Sequence, residues 1–175
     1  MRTKGSRLHS SPYVKNEDAT PQFSEYESLN GIWGSSGNDV HLGFSDDRGQ
    51  TWGDSTIVNS AGGSVFRGRP YAAVNTEGVV GVAWDDRRHA TGDSCSDVYF
   101  AASLDGGSNF LPEIRISSTT ACAHTPGNGP IGERYIMGGD YSGVAATADG
   151  AFQIIWSDAR TGRFLPYTAR VQIEQ

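Results

Sequence analysis

What this chain lacks argues against two classes of partner. Its 14 lysine and arginine residues are outnumbered by 20 aspartate and glutamate residues, and the formal net charge is −6. Without a basic stripe to neutralise phosphates, we predict no nucleic-acid partner. No apolar run approaches the roughly 18–20 residues of a membrane-spanning helix. We therefore predict no membrane partner.

The N-terminal segment lacks a recognisable leader. Residues 1–7 are basic, but no apolar stretch follows them as a signal peptide requires. We interpret residues 1–28 as a loose, polar N-terminal arm with one strand near 23–26, the alternative being a disordered or cloning-derived leader. The protein is then either cytoplasmic, or its true N-terminus is missing from this sequence.

Cysteine is scarce, and the usual cofactor motifs are missing. Cys95 and Cys122 both fall in long polar loops, so one hypothesis is a disulfide between them and the other is two free thiols. His89 and His124 share these loops, but the ligand spacing of a zinc site is absent. The G-x-G-x-x-G match at 127–132 follows no strand and contains a proline. We predict no metal and no cofactor.

Helical periodicity is also absent, whereas glycine is abundant. The 23 glycines and a charged fraction of 19% suit a turn-rich, all-β protein of one domain. Apolar and β-branched runs between turn signals predict strands at Thr56–Val58, Arg69–Val74, Val79–Trp84, Asp97–Ala102, Glu113–Ile116, Tyr141–Thr147, Ala151–Trp156 and Pro166–Gln172.

One eight-residue pattern, Ser-x-Asp-x-Gly-x-x-aromatic, occurs twice after a strand-like run. Its defining residues are Ser45, Asp47, Gly49 and Trp52 in the first copy, and Ser103, Asp105, Gly107 and Phe110 in the second. The aspartate can accept hydrogen bonds from backbone N–H groups of its own turn. The glycine permits a positive φ, and the aromatic ring buries a large apolar surface.

This pattern resembles the Asp box, or bacterial neuraminidase repeat, of sialidase-like β-propellers, and the resemblance covers about Leu29 to Gln175. It implies four-stranded antiparallel blades at about 29–60, 66–117 and 138–175. These three make half of a six-bladed sialidase-type ring. Since propellers need about four to eight blades, we predict a homodimer that closes the ring. In such rings the last blade commonly takes a strand from the N-terminus, so here the arm or a second copy would supply it. The family favours a secreted or periplasmic location.

The long loops of these blades predict where function lies. Strands within a blade alternate in direction, so the Asp boxes and the long loops fall on opposite faces. The second face carries the segments Asn59–Gly68, Asp85–Ser96, Ser117–Asp140 and Ser157–Leu165. Loops on a rigid scaffold tend to carry binding sites, so we expect the ligand there.

A sialidase-like site, as the resemblance implies, combines arginines for the substrate carboxylate with an acid/base carboxyl and an activated tyrosine. We predict Asp86, Glu133 and Tyr135 as catalytic residues, and Arg67, Arg69, Arg88 and Arg134 as substrate-binding residues. In the alternative, the pairs Asp85/Asp86 with Arg87/Arg88, and Asp158 with Arg160, only pin the loops. Glu133–Tyr135 would then be a loop anchor.

The leading hypothesis for function is a sialidase-like, glycan-directed β-propeller, a candidate exo-glycosidase that acts on anionic sugars with retention. The alternatives are a non-catalytic module that binds a glycan or protein, and an inactive fragment of a longer propeller. Trp33, Trp84 and Trp156 are expected to pack between blades, with sugar stacking by one of them as the alternative.

Overall fold

The fold is all-β. The computed structural model describes residues 23–27 (backbone only), 39–45, 47, 50–60, 65–91, 95–123 and 141–174, and contains strands but no helix within them. No helix that could cross a membrane therefore occurs among these residues. The strands are β1 (Phe23–Glu27), β2 (Val40–Phe44), β3 (Thr56–Ile57), β4 (Arg67–Val74), β5 (Val80–Asp86), β6 (Cys95–Ser103), β7 (Ile114–Arg115), β8 (Ala121–Cys122), β9 (Gly143–Ala146), β10 (Phe152–Asp158) and β11 (Leu165–Val171).

The strands form three antiparallel sheets. The first has the order β1-β2-β3, the second β4-β5-β6-β7 and the third β11-β10-β9. Consecutive strands pair because short hairpins join them. In the turn between β4 and β5, for example, Asn75 Oδ1 accepts the backbone N–H groups of Glu77 at 3.0 Å and Val79 at 2.9 Å.

Each strand predicted within the described residues has a counterpart in these sheets, whereas a further strand that the sequence predicts to end at Trp33 lies outside those residues. The strand expected near 23–26 is β1, which pairs with β2 and so belongs to the first sheet. The short β8 was not predicted. It pairs with β6 where Cys95 lies opposite Cys122, and two residues carry too little periodicity to be read from sequence.

The hydrophobic core lies between the sheets, with the second sheet in the middle. Every residue of β5 is buried, because alternate side chains point to opposite faces. One cluster joins Val80, Val82 and Trp84 to Val40 and Leu42 of the first sheet.

A second cluster joins the second sheet to the third, where Ala83 and Phe100 pack with Phe152, Ile154 and Trp156. Gly81 is required at this interface, since an added Cβ would lie 2.7 Å from the Phe152 ring and 2.8 Å from the Phe100 ring. The first strands of the sheets are neighbours too, with β4 in contact with both β1 and β9.

Candidate functional site

The two Ser-x-Asp-x-Gly turns have the same internal hydrogen bonds. Ser45 Oγ donates to Asp47 Oδ1 at 2.8 Å, and the same oxygen accepts the Thr51 backbone N–H at 2.8 Å. In the second turn, Asp105 Oδ1 accepts Ser103 Oγ at 2.8 Å and the Asn109 N–H at 2.9 Å. These aspartates are used within their own turns.

Their electrostatics agree with a structural role. Hydrogen bonds from Thr51 and then Ser45 lower the pKa of Asp47 to about 2. Burial opposes the shift at Asp105, but hydrogen bonds from Asn109 and Ser103 still lower its pKa. Gly107 has a φ of 96°, whereas Gly49 lies outside the described residues. Of the two aromatic residues, Trp52 is half-buried and Phe110 packs on the first core cluster.

At the opposite end of the second sheet, Trp84, Asp86, Arg88 and Tyr99 form one stack. Asp86 Oδ2 accepts Trp84 Nε1 at 3.2 Å and Arg88 Nη2 at 2.6 Å. The Arg88 guanidinium lies 4.1 Å from the centre of the Tyr99 ring, and Tyr99 is opposite Trp84 in the register. The arginine is held by a carboxylate on one side and an aromatic face on the other.

The third sheet repeats this stack with Trp156, Asp158, Arg160 and Tyr167. Asp158 Oδ2 accepts Trp156 Nε1 at 3.0 Å and Arg160 Nη2 at 2.6 Å. The Arg160 guanidinium lies 4.4 Å from the Tyr167 ring centre. The shared spacing Trp-x-Asp-x-Arg therefore gives the same set of side-chain contacts in both sheets.

These contacts test the role predicted for Asp86. Asp86 is 0% exposed, and it also accepts Arg67 Nε at 3.2 Å. Burial alone would raise its pKa, but the hydrogen bonds from Arg88 outweigh burial and lower it. An inaccessible carboxylate that stays ionised is a poor general acid, so the geometry argues against the catalytic role predicted for Asp86.

Arg67 and Arg88 are engaged by carboxylates of the chain itself. Arg67 Nη1 lies 3.3 Å from Asp39 Oδ1, and Arg88 Nη1 donates to Glu113 Oε1 at 2.7 Å. A substrate carboxylate would have to displace these partners. This geometry fits the alternative stated above, in which the aspartate–arginine pairs hold the loops in place and do not bind substrate.

Arg69 and Asp85 lie elsewhere, in a small cleft between the second and third sheets. Its lining includes both residues together with Tyr71, Ser142, Ile155 and Trp156. Asp85 Oδ2 accepts Arg69 Nε at 2.7 Å and lies 2.7 Å from Arg69 Nη2. The cleft is at the loop end of the sheets, away from the Ser-x-Asp-x-Gly turns.

Two features single out this ion pair. Arg69 has a φ of 50°, and no other non-glycine residue among those described has a positive φ. The register shifts between Gly68 and Tyr71, and such bulges re-aim a side chain. Burial raises the pKa of Asp85 to about 6, against the pull of Arg69. A strained backbone beside a perturbed carboxyl is typical of functional sites.

The remaining predicted residues divide into two groups. Cys95 and Cys122 are joined by a disulfide, which holds β8 against β6. Glu133, Arg134 and Tyr135 lie outside the described residues, and their roles stay predictions. The described part of the chain contains no group of three or more histidine, cysteine, aspartate or glutamate side chains that could hold a metal ion.

No family model matches the sequence, and no curated protein matches it. In structure, the chain is similar to a solved protein described as the Hadza microbial sialidase Hz136, with a TM-score of 0.54 and 18% sequence identity. What the two share is the fold. The match covers 85% of this chain and 32% of the sialidase, so the chain spans about a third of that protein.

Sequence reasoning selected Asp86 and passed over Asp85, although one signal separates them. Neighbouring residues of a strand point to opposite faces. The Trp-x-Asp-x-Arg repeat assigns Asp86 to the stack with Trp84, which leaves Asp85 to face the other way. Ser142 carries no comparable pattern, because only packing brings it to the cleft.

Proposed function

We propose that this chain forms part of a sialidase-like β-propeller whose loop face binds glycans. The Trp-x-Asp-x-Arg stack supports the architecture, because it recurs at the same place in the second and third sheets. The sequential packing of the sheets, with β4 between β1 and β9, is that of radially repeated blades. The two turns around Asp47 and Asp105 then act as structural Asp boxes.

The observation that carries the binding function is the Arg69–Asp85 cleft between two sheets at their loop end. Propeller ligands are expected on the loop face, and few polar groups in an apolar cleft are typical of a ligand site. Binding without hydrolysis is favoured, since Arg67, Arg88 and Asp86 are engaged in internal pairs.

The catalytic version of the proposal rests on other residues. A retaining exo-glycosidase for anionic sugars would use Glu133 and Tyr135 for chemistry, with Arg134 on the substrate carboxylate. In that case Arg134 would supply the positive charge for the substrate, because Arg67 and Arg88 are already paired with Asp86.

One experiment separates these versions. The full chain is applied to an array of anionic and neutral glycans, and incubated with a fluorogenic sialoside. We expect glycan binding and no release of the fluorophore. Hydrolysis that Tyr135→Phe abolishes, while the control Asp149→Asn does not, would establish the enzyme instead. Absence of binding to every glycan would overturn the proposed function.

A further inference from the structure

Two polar groups in the cleft have unused hydrogen-bonding capacity. Arg69 Nε and Nη2 both contact Oδ2 of Asp85, and among the described residues no hydrogen bond reaches Oδ1. Ser142 Oγ is buried and has no hydrogen-bond partner within the part of the chain that the structure describes. Because buried polar groups are nearly always paired with protein groups or ordered water, this arrangement leaves a place for a water or for a ligand group that replaces it.

The chemistry of these groups narrows what the partner can be. An ionised carboxylate oxygen only accepts hydrogen bonds, whereas a serine hydroxyl both donates and accepts. A ligand hydroxyl is suited to both, because it can donate to Asp85 and donate to or accept from Ser142. A ligand carboxylate has no proton to offer Asp85.

The charge of the cleft points the same way. Arg69 and Asp85 neutralise each other at 2.7 Å, so the pair contributes no net positive charge with which to hold an anion. With a pKa of about 6, Asp85 is ionised at neutral pH and would repel a second carboxylate.

The size and rim of the cleft suit one edge of a ring. It has room for about one water-sized group, so a single ligand hydroxyl can enter while the rest of a sugar ring stays outside. Tyr141 precedes Ser142, which lines the cleft, and its side chain is 88% exposed. Its ring offers an apolar surface to the C–H groups of a sugar.

We propose that the Arg69–Asp85 cleft binds the hydroxyl groups of an uncharged sugar ring. Asp85 and Ser142 hydrogen-bond the hydroxyls, and Tyr141 supports the apolar face of the ring. This inference rests on the proposed glycan-binding function and assigns the class of sugar that this part of the loop face takes. An anionic residue of the same glycan would have to be held elsewhere.

The test uses the full chain and titration calorimetry with methyl β-galactoside, methyl α-mannoside, N-acetylglucosamine and N-acetylneuraminic acid. At least one neutral sugar should bind more tightly than the acidic one. Asp85→Asn places an amide N–H₂ where an acceptor is needed, and should weaken binding roughly tenfold, the usual effect of losing a hydrogen bond to a charged group. Ser142→Ala should weaken it less.

Tyr141→Ala keeps the test valid if Asp85→Asn fails to fold, since a side chain this exposed does not support the core. It should weaken binding roughly fivefold. Asp149→Asn is the control: this carboxylate pairs with Arg170, and its side chain is 66% exposed, at the other end of the sheets. Its affinity should equal that of the unmodified chain.

The outcomes separate the two proposals. Neutral sugars that bind with unchanged affinity to Asp85→Asn, Ser142→Ala and Tyr141→Ala would overturn the cleft assignment and leave glycan binding intact. Binding of N-acetylneuraminic acid alone would overturn the uncharged class. Failure of every sugar here and on the glycan array would remove the proposed function, and this inference with it.

Discussion

Adjacent carboxyls on β5 have opposite electrostatic environments. Asp86 faces Arg67 and Arg88, and hydrogen bonds from Arg88 and Trp84 lower its pKa despite burial. Asp85 lines the cleft, where burial outweighs the pull of Arg69 and raises its pKa to about 6. Because neighbouring side chains of a β-strand point to opposite faces, Asp86 stays ionised in an internal ion pair while Asp85, the next residue, has a raised pKa.

Asp85 should give the unfolding free energy a distinct pH dependence. Burial, with a smaller contribution from the charge of Asp86, raises its pKa from 3.8 to about 6 on folding, against the opposing pull of Arg69 and Arg87. The folded state therefore holds more protons than the unfolded state between pH 4 and 6, and stability falls as pH rises through that window. About two pKa units at 1.36 kcal/mol each give roughly 3 kcal/mol.

Urea unfolding of the unmodified chain and of Asp85→Asn at pH 4, 5, 6 and 7 measures this contribution. The difference between their unfolding free energies should change across the window and level off above pH 6. Asp149→Asn, whose carboxyl has a lowered pKa, should track the unmodified chain throughout. Parallel curves for Asp85→Asn would contradict the raised pKa.

How much could be predicted differs between strands and site. Apolar runs between turn signals predicted β5 and β10 correctly, and the repeated Trp-x-Asp-x-Arg spacing can be read directly from the sequence. The pairing of Arg67 with Asp39 could not be predicted, because Asp39 is distant in sequence and approaches Arg67 only when two sheets pack together. Likewise, the positive φ of Arg69 depends on a β-bulge that no local sequence motif predicts.

At the scale of elements, the contact between the second and third sheets depends on one missing side chain. Gly81→Ala would bring a Cβ within 3 Å of Phe100 and Phe152, and the rings would have to shift. We expect a loss of about 1–3 kcal/mol in unfolding free energy, the usual cost of overpacking. Thermal or urea unfolding provides the measurement.

Gly143→Ala is a matched control for this prediction. Gly143 also lies in a strand, but an added Cβ there meets nothing within 4 Å. Its stability should be unchanged or slightly higher, because alanine restricts the unfolded chain. Equal destabilisation by both substitutions would mean that backbone conformation, and not the ring contact, sets the need for Gly81.

For the molecule as a whole, one apolar position is exposed on the third sheet, although the equivalent position of the second sheet is buried. In the repeat, Ile155 precedes Trp156 as Ala83 precedes Trp84, yet Ala83 packs in the second core cluster and Ile155 is 49% exposed. We propose that a second copy covers this face and closes the ring.

Light scattering on a sizing column should then give the mass of a dimer. Ile155→Glu should convert it to a monomer, because a charge at a sheet-to-sheet contact is costly to bury. Leu104→Glu, at a residue that is 46% exposed in the second Ser-x-Asp-x-Gly turn, should leave the mass unchanged. A monomeric unmodified chain would rule out ring closure by two copies.

The disulfide has a consequence for the covalent integrity of the molecule. Cys95 and Cys122 are 27 positions apart, and the segment between them carries most of β6, the second Ser-x-Asp-x-Gly turn and β7. With the bond in place this segment is a closed loop of covalent bonds. Cutting any one peptide bond within it opens the loop without releasing a fragment, so the sheet can be nicked at its exposed turn and still remain a single molecule.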